Sequence, residues 1–270
     1  MTKRVVNPAF IILISIPIAL VLNILLFVNK PALIVPQPLD ISGQYAYFRP
    51  SGDQVSGFKD SRAKYHRSPC PALNVLANHG YIPRDGKIIT SRLLQKSLIK
   101  VYNLDPALAE FLVSSLPDQF TLADLGVHHF VEHDASLIHD DSWTGGDPSS
   151  INTTLAANLL SQGDKDHQLT KTILASFRRE REAYSAANTP DFDEMFTAER
   201  ALTAYSEAAV LLLVLGMHST SISVDDANAF LVDERIPGDY AMPRTPVTLA
   251  RSLWVTLQLK VLALSSAVFA

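Results

Sequence analysis

The stretch Ser68-Pro69-Cys70-Pro71-Ala72-Leu73-Asn74 carries the only cysteine of a 270-residue chain. A single cysteine rules out any intrachain disulfide, so the two flanking prolines need another explanation. Pro71 suits the first position of a helix, where its missing N–H costs nothing and its φ is already correct. Cys70 then becomes the N-cap, Leu73, Leu76 and Ala77 form an apolar stripe, and His79-Gly80 ends the turn. The unpaired N–H groups of the first turn point at the sulfur and favour a thiolate over a thiol. Standing alone, Cys70 reads more readily as a small buried hydrophobe.

A net charge of −4 and the lack of a basic stripe argue against a nucleic-acid partner. Eleven glycines and few β-branched alternations point to helices rather than sheet. The length suits one domain of roughly 200 residues plus an N-terminal extension. Ala9 to Val28 has no charge over 20 residues and follows Lys3 and Arg4, enough to cross a bilayer as a helix despite Pro17. No small-residue cleavage site precedes Pro31, which favours an uncleaved signal anchor over a cleaved signal peptide. The sequence thus divides into an anchor over 1–30, a proline-rich surface linker over 31–60 and a domain over 61–270. Lys3 and Arg4 place the N-terminus in the cytosol and the domain in the lumen or outside the cell, or in the secreted state if the segment is cleaved. Asn152-Thr153-Thr154 would be a glycosylation acceptor there, although a single sequon is close to chance.

Helices are expected over Thr90–Tyr102, from Asp105-Pro106 to Leu116, over Asn152–Arg181 with a break at Gln162-Gly163-Asp164, within Asp191–Gly216, and from Thr248 onward. Asp225 and Asp226 are expected to cap a short helix through Val232. Thr121–Ile138 also reads as a helix, with Glu132 and Ser136 one turn apart on one face, a spacing able to grip a hard cation. His133 would lie about 100° round that helix. A solvated polar face is the plainer reading, but Phe130, Val131, Ala135 and Leu137 speak against full exposure. Glu199, in Phe196-Thr197-Ala198-Glu199, reads on its own as a solvated helix glutamate, as do Glu194 and Glu207.

Three separated motifs nonetheless agree. Ser68–Asn74 with Ala77-Asn78-His79-Gly80-Tyr81 and Pro83-Arg84-Asp85-Gly86, then Glu132-His133-Asp134-Ala135-Ser136-Leu137, closely resemble the fungal haem-thiolate peroxidases, the chloroperoxidase and unspecific peroxygenase family. Phe196-x-x-Glu199 followed by Asp233-Glu234-Arg235-Ile236-Pro237 is a weaker third match. The resemblance covers about residues 62 to 258. It implies a compact all-α domain with haem b between helices, Cys70 as axial thiolate, and a magnesium or manganese ion near a haem propionate. Glu132 and Ser136 by side chain, and His133 by its carbonyl, would hold that ion. His133 and Glu199 would form the distal acid–base pair, with Asp134 holding the imidazole. Thr189-Pro190-Asp191-Phe192-Asp193 lacks the arginine of the family's long branch, which places the chain in the short histidine–glutamate branch. His139 stands where the family often has arginine.

Such a site would let hydrogen peroxide oxidise or oxygenate a hydrophobic or aromatic small molecule, with secondary-metabolite tailoring as the implied setting. The chemistry needs a group that takes a proton from one peroxide oxygen and returns it to the other, and a thiolate that favours O–O heterolysis. Two other readings remain. His129-Phe130-Val131-Glu132-His133 fits the inverted zinc-protease pattern, with His129 and His133 as ligands and Glu132 as base. A membrane-tethered haem-binding protein without turnover is the non-enzymatic alternative.

Overall fold

The computed structural model describes residues 39–128, 130–216 and 220–265. The expected span over Ala9–Val28 therefore lies outside the described residues. Among the described residues, no helix is long and apolar enough to cross a membrane.

The domain is helix-rich, as expected. Its elements are α1 (Pro71–Asn78), α2 (Ser91–Tyr102), α3 (Pro106–Val113), α4 (Thr153–Ser161), α5 (Lys171–Asn188), the short α6 (Phe192–Met195), α7 (Ala198–Leu215), the short α8 (Val224–Ala227) and α9 (Leu249–Ser265). Three small ladders join the connections: Val55–Ser56 with Tyr65–His66, Ile89–Thr90 with Gln119–Phe120, and Gln168–Thr170 with Ser221–Ser223. Side-chain caps start most helices. The oxygens of Thr90, Asp105, Asn152, Thr170, Thr197 and Ser223 each accept a first-turn N–H. A cap of this type contributes about 1 kcal/mol. Short helix α8 is thus capped by Ser223, and Asp225 and Asp226 occupy its first turn.

α5, α7 and α9 pack against one another. α7 is apolar on nearly every side from Ala208 to Leu215 because its buried stripe, with Ala204, Ala208, Leu212 and Leu213, runs through the core. α1 lies against the turn Asn228–Val232. The segment from residue 39 onward is tied down rather than loose. Tyr45 stacks on Tyr81 with centroids 4.3 Å apart, Phe48 N–H donates to Asn78, and Arg49 pairs with Glu234 at 3.1 Å.

One expected element is absent. Thr121–Ile138 is not a helix: only Leu122–Gly126 forms a tight helical turn, closed by a Thr121–Asp124 capping box, and the chain then runs as an irregular loop. Side chains take the backbone groups that a helix would pair internally. Asp141 accepts from Ala135 N–H and Asp134 from Ser142 N–H, each at 2.8 Å. From α5, Arg178 donates to the carbonyl of Ala135 and Arg181 to that of Ser136. Ala135 adopts φ +60°. Backbone pairing is a complete accounting problem, and here two arginines and two aspartates solve it without helical bonds.

Two buried histidines make the fold acid-sensitive. Burial lowers His139 to about 4, against weaker opposite pulls from Glu207 and Asp140. Burial also lowers His79, whose ring meets the Tyr45 carbonyl and accepts from Ile236 N–H. The unfolded chain takes these protons near pH 6.5, and the folded chain only at lower pH. Stability is therefore full above about pH 6.5 and falls as pH drops through about 4, by up to about 3 kcal/mol for His139. Urea midpoints measured at pH 7 and 4.5 check this; equal midpoints would contradict it.

Candidate active site

Cys70 is the N-cap of α1 with Pro71 following, as the sequence predicts. Its loop is locked by side chains of the same motif. Asn74 accepts from Ser68 N–H at 2.9 Å and donates to the Ser68 carbonyl at 2.8 Å, while Ser68 Oγ accepts from Cys70 N–H. Asn74 also donates to Glu234 Oε1 at 2.5 Å. Asn78 donates to the Glu234 carbonyl and accepts from Arg67. Arg84 donates to the carbonyls of Asn78, Gln44 and Ala46. Gly86 has φ +69°, and a Cβ there would collide with the His66 carbonyl, so only glycine fits. Asn74→Ala is expected to cost roughly 2–4 kcal/mol, because Glu234 and the Ser68 backbone lose buried partners. Thermal unfolding measures it, and a loss under 1 kcal/mol would remove Asn74 from this role.

The sulfur itself departs from expectation. Burial pushes the Cys70 thiol up to about 11; the N–H groups of Leu73 and Ala72 pull the other way, and the charges of Glu207 and Glu234 add to the rise. The helix end does not by itself make a thiolate. A cation at the sulfur has to do so.

His133 is buried, with 5 % of its side chain exposed. Its Nδ1 meets the Asp134 carbonyl at 2.7 Å, and its Nε2 meets Glu207 Oε2 at 3.3 Å. The expected distal pair is therefore corrected. Glu199 sits exposed on the first turn of α7, about 12 Å back along the helix axis from Glu207. The carboxylate that reaches His133 belongs to Glu207. Asp134 is corrected as well: its backbone holds the imidazole, and its carboxylate accepts from Ser142 N–H instead.

Burial disfavours charge on both members of the pair, but each stabilises the other. Glu207's carboxylate outweighs burial and raises His133. His133, with Arg178 and His139, outweighs burial and lowers Glu207. Both shifts favour the charged forms of the pair. Glu207 itself is 57 % exposed, and its charge reaches the Cys70 thiol. A cleft of about 450 Å³ beside Trp143, Phe177, Arg181 and Tyr184 includes none of Cys70, His133 and Glu207.

Without a helix, Glu132 and Ser136 do not share a face. Glu132 Oε2 lies 2.5 Å from His128 Nδ1, and Ser136 Oγ lies 3.2 Å from His139 Nδ1. The donor atoms that converge, within 4.8 Å of one another, belong to His128, Glu132 and Asp134. The inverted zinc motif loses its geometry too. Its loop is not helical, His133 is engaged by Glu207 and Asp134, and His129 lies outside the described residues.

A soft cysteine sulfur at a helix start and the His133–Glu207 pair within electrostatic reach of it form a donor set that fits haem. The comparisons with known proteins agree. Residues 51–245 match the family described as peroxidase, family 2. The chain is 27 % identical over 206 residues to an aromatic peroxygenase of Coprinellus radians, covering 64 % of this chain and 77 % of that one. It is 27 % identical over 224 residues to an aromatic peroxygenase of Cyclocybe aegerita, covering 72 % and 59 %. It is 25 % identical over 181 residues to a dothistromin biosynthesis peroxidase of Dothistroma septosporum, covering 58 % and 41 %.

Proposed function

Because the chain belongs to peroxidase family 2, whose members are peroxide-using oxidoreductases, we propose that it holds haem b through Cys70 and uses hydrogen peroxide to oxidise or oxygenate a small hydrophobic or aromatic molecule. The observation that carries this reading is the His133–Glu207 pair, whose charge reaches the Cys70 sulfur. Haem bound there would supply the iron that receives peroxide and the oxidising power. This chain supplies the rest. Glu207, ionised at rest, takes a proton from one peroxide oxygen and returns it to the other. His133 aims the carboxylate through Nε2–H and is itself fixed by Nδ1–H to the Asp134 carbonyl. Asn74 and Glu234 hold the loop that presents the sulfur.

For the magnesium or manganese ion, Glu132 is the proposed main ligand, with the His133 carbonyl and Ser136 as the resemblance implies. Binding would require Glu132 to leave His128 and Ser136 to leave His139. The name of the Dothistroma relative supports a tailoring step in secondary metabolism as the setting. Lumenal or extracellular placement rests on the sequence of residues 1–30, and protease protection of intact microsomes tests it.

The deciding experiment is the CO-difference spectrum of the reduced, haem-loaded protein, followed by peroxide-driven turnover of a phenol, an aromatic hydrocarbon and a halide acceptor. A strongly red-shifted Soret band with turnover is the expected result. Zinc in place of iron, or a colourless protein after haem supplementation, would overturn the proposal.

A further inference from the structure

The cleft of about 450 Å³ has the size of a small-molecule site, and no residue of the proposed reaction lines it. Its walls come from α4, from α5 and from the tight turn Ser142–Thr144. On α5, Glu180, Arg181 and Tyr184 follow Phe177 by three, four and seven residues, which sets all of them on one face. Side-chain bonds fix the opposite wall. Asp141, which begins the turn, accepts from Arg181 at 3.3 Å and from Thr189 Oγ1 at 2.5 Å, and its carbonyl accepts from Thr144 Oγ1 at 2.9 Å. Asn152 caps α4 and donates to Asp140 at 2.7 Å. The cleft is therefore built before any ligand arrives.

Two large rings stand open at this cleft, Trp143 with 55 % and Tyr184 with 58 % of its surface exposed. Tyr184 already carries a cation on one face, with the Arg181 guanidinium 5.1 Å from the ring centroid. The lining holds three carboxylates, Asp140, Asp141 and Glu180, against that one guanidinium. Asp141 balances Arg181. The other two are exposed and accept from neutral donors, Asn152 and Ser176, so the cleft keeps a negative charge that repels anions. Nor does the lining chelate a metal: among the described residues, the donor atoms that converge in that way belong to His128, Glu132 and Asp134. Aromatic faces beside uncompensated carboxylates suit a diffuse, weakly hydrated organic cation.

We propose that this cleft is a second binding site, for an organic ammonium ion whose head lies against Trp143 and Tyr184 and whose charge is met by Glu180 and Asp140. Binding is reversible and moves neither electrons nor protons. The site goes beyond the proposed reaction and does not depend on it, because Cys70, His133 and Glu207 are not part of the lining. A soluble amine and the choline headgroup of a phospholipid present the same chemistry, and the test separates them.

Isothermal titration calorimetry of the haem-loaded full chain compares choline with its uncharged isostere, the alcohol that has tert-butyl in place of trimethylammonium. Choline is expected to bind at least about tenfold more tightly, with the Soret band unmoved at saturation. Trp143→Ala weakens choline binding about fivefold and Glu180→Gln about threefold, the latter loss shrinking at high salt. Both side chains are exposed, so both variants should keep the wild-type melting temperature. No heat with either probe, equal affinity for the two, undiminished choline binding in both variants, or a Soret shift that puts the cation in the haem pocket would overturn the site. Co-sedimentation with phosphatidylcholine vesicles identifies the source. Pelleting that excess choline reverses assigns the site to a lipid headgroup, and choline binding without pelleting assigns it to a soluble amine. The calorimetry needs no haem, so a protein that fails to take up haem loses the proposed reaction and still answers for the cleft.

Discussion

Glu207→Gln lowers peroxide turnover by about two to four orders of magnitude, while Glu199→Gln leaves it within about twofold. The two glutamates lie on the same helix, and their chemistry differs because their surroundings do. Glu199 is on the exposed first turn of α7. Glu207 lies two turns further in, bonded to His133 and held ionised against burial by His133, Arg178 and His139. Glutamine keeps the shape and can still reach the imidazole, but it cannot accept and return a proton. Haem content and the CO-difference band should be unchanged in both variants, so the loss is read in the reaction with peroxide. Stopped-flow mixing with peroxide measures it directly. The reverse ranking, with Glu199→Gln impaired and Glu207→Gln active, would restore the assignment that the motif suggests.

Cys70→Ala is expected to abolish the red-shifted CO-difference band and to reduce turnover to background. Alanine fits the start of α1 because Pro71 still sets the first helical φ and because Ser68, Asn74 and Glu234 hold the loop without using the sulfur. The variant should therefore fold, and its failure isolates the ligand. With the thiol at about 11, the free protein is protonated at neutral pH. Loading haem then releases one proton per chain from wild type and none from Cys70→Ala. Pulse titration in weak buffer distinguishes the two. A persistent thiolate band in the alanine variant would end the proposal, since Cys70 is the sole cysteine.

The lower side of the site was legible from the sequence because its signals are local. Pro71 announces a helix start, Cys70 falls on the N-cap, and Asn74, Asn78 and Gly86 lie within 16 residues of it. The upper side was not. The run Glu132–Leu137 looks helical by pattern, yet its carbonyls are claimed by Arg178 and Arg181, more than 40 residues away in the chain. Local propensity cannot foresee that competition. Glu207 carried one usable signal: it is followed by eight apolar residues, Ala208 to Leu215. A carboxylate at the edge of such a stretch lies beside the core, and its partner, His133, is 74 positions away.

By itself the sequence determined the helix-rich class of fold, several of the helix starts and the place of the sulfur, because caps, prolines and apolar periods act over a few residues. The packing of α5, α7 and the loop after Gly126 decided which carboxylate faces the imidazole. It also left the thiol protonated despite its helix end. Those outcomes depend on desolvation and on charges from distant segments, quantities that exist only once the chain has closed around them.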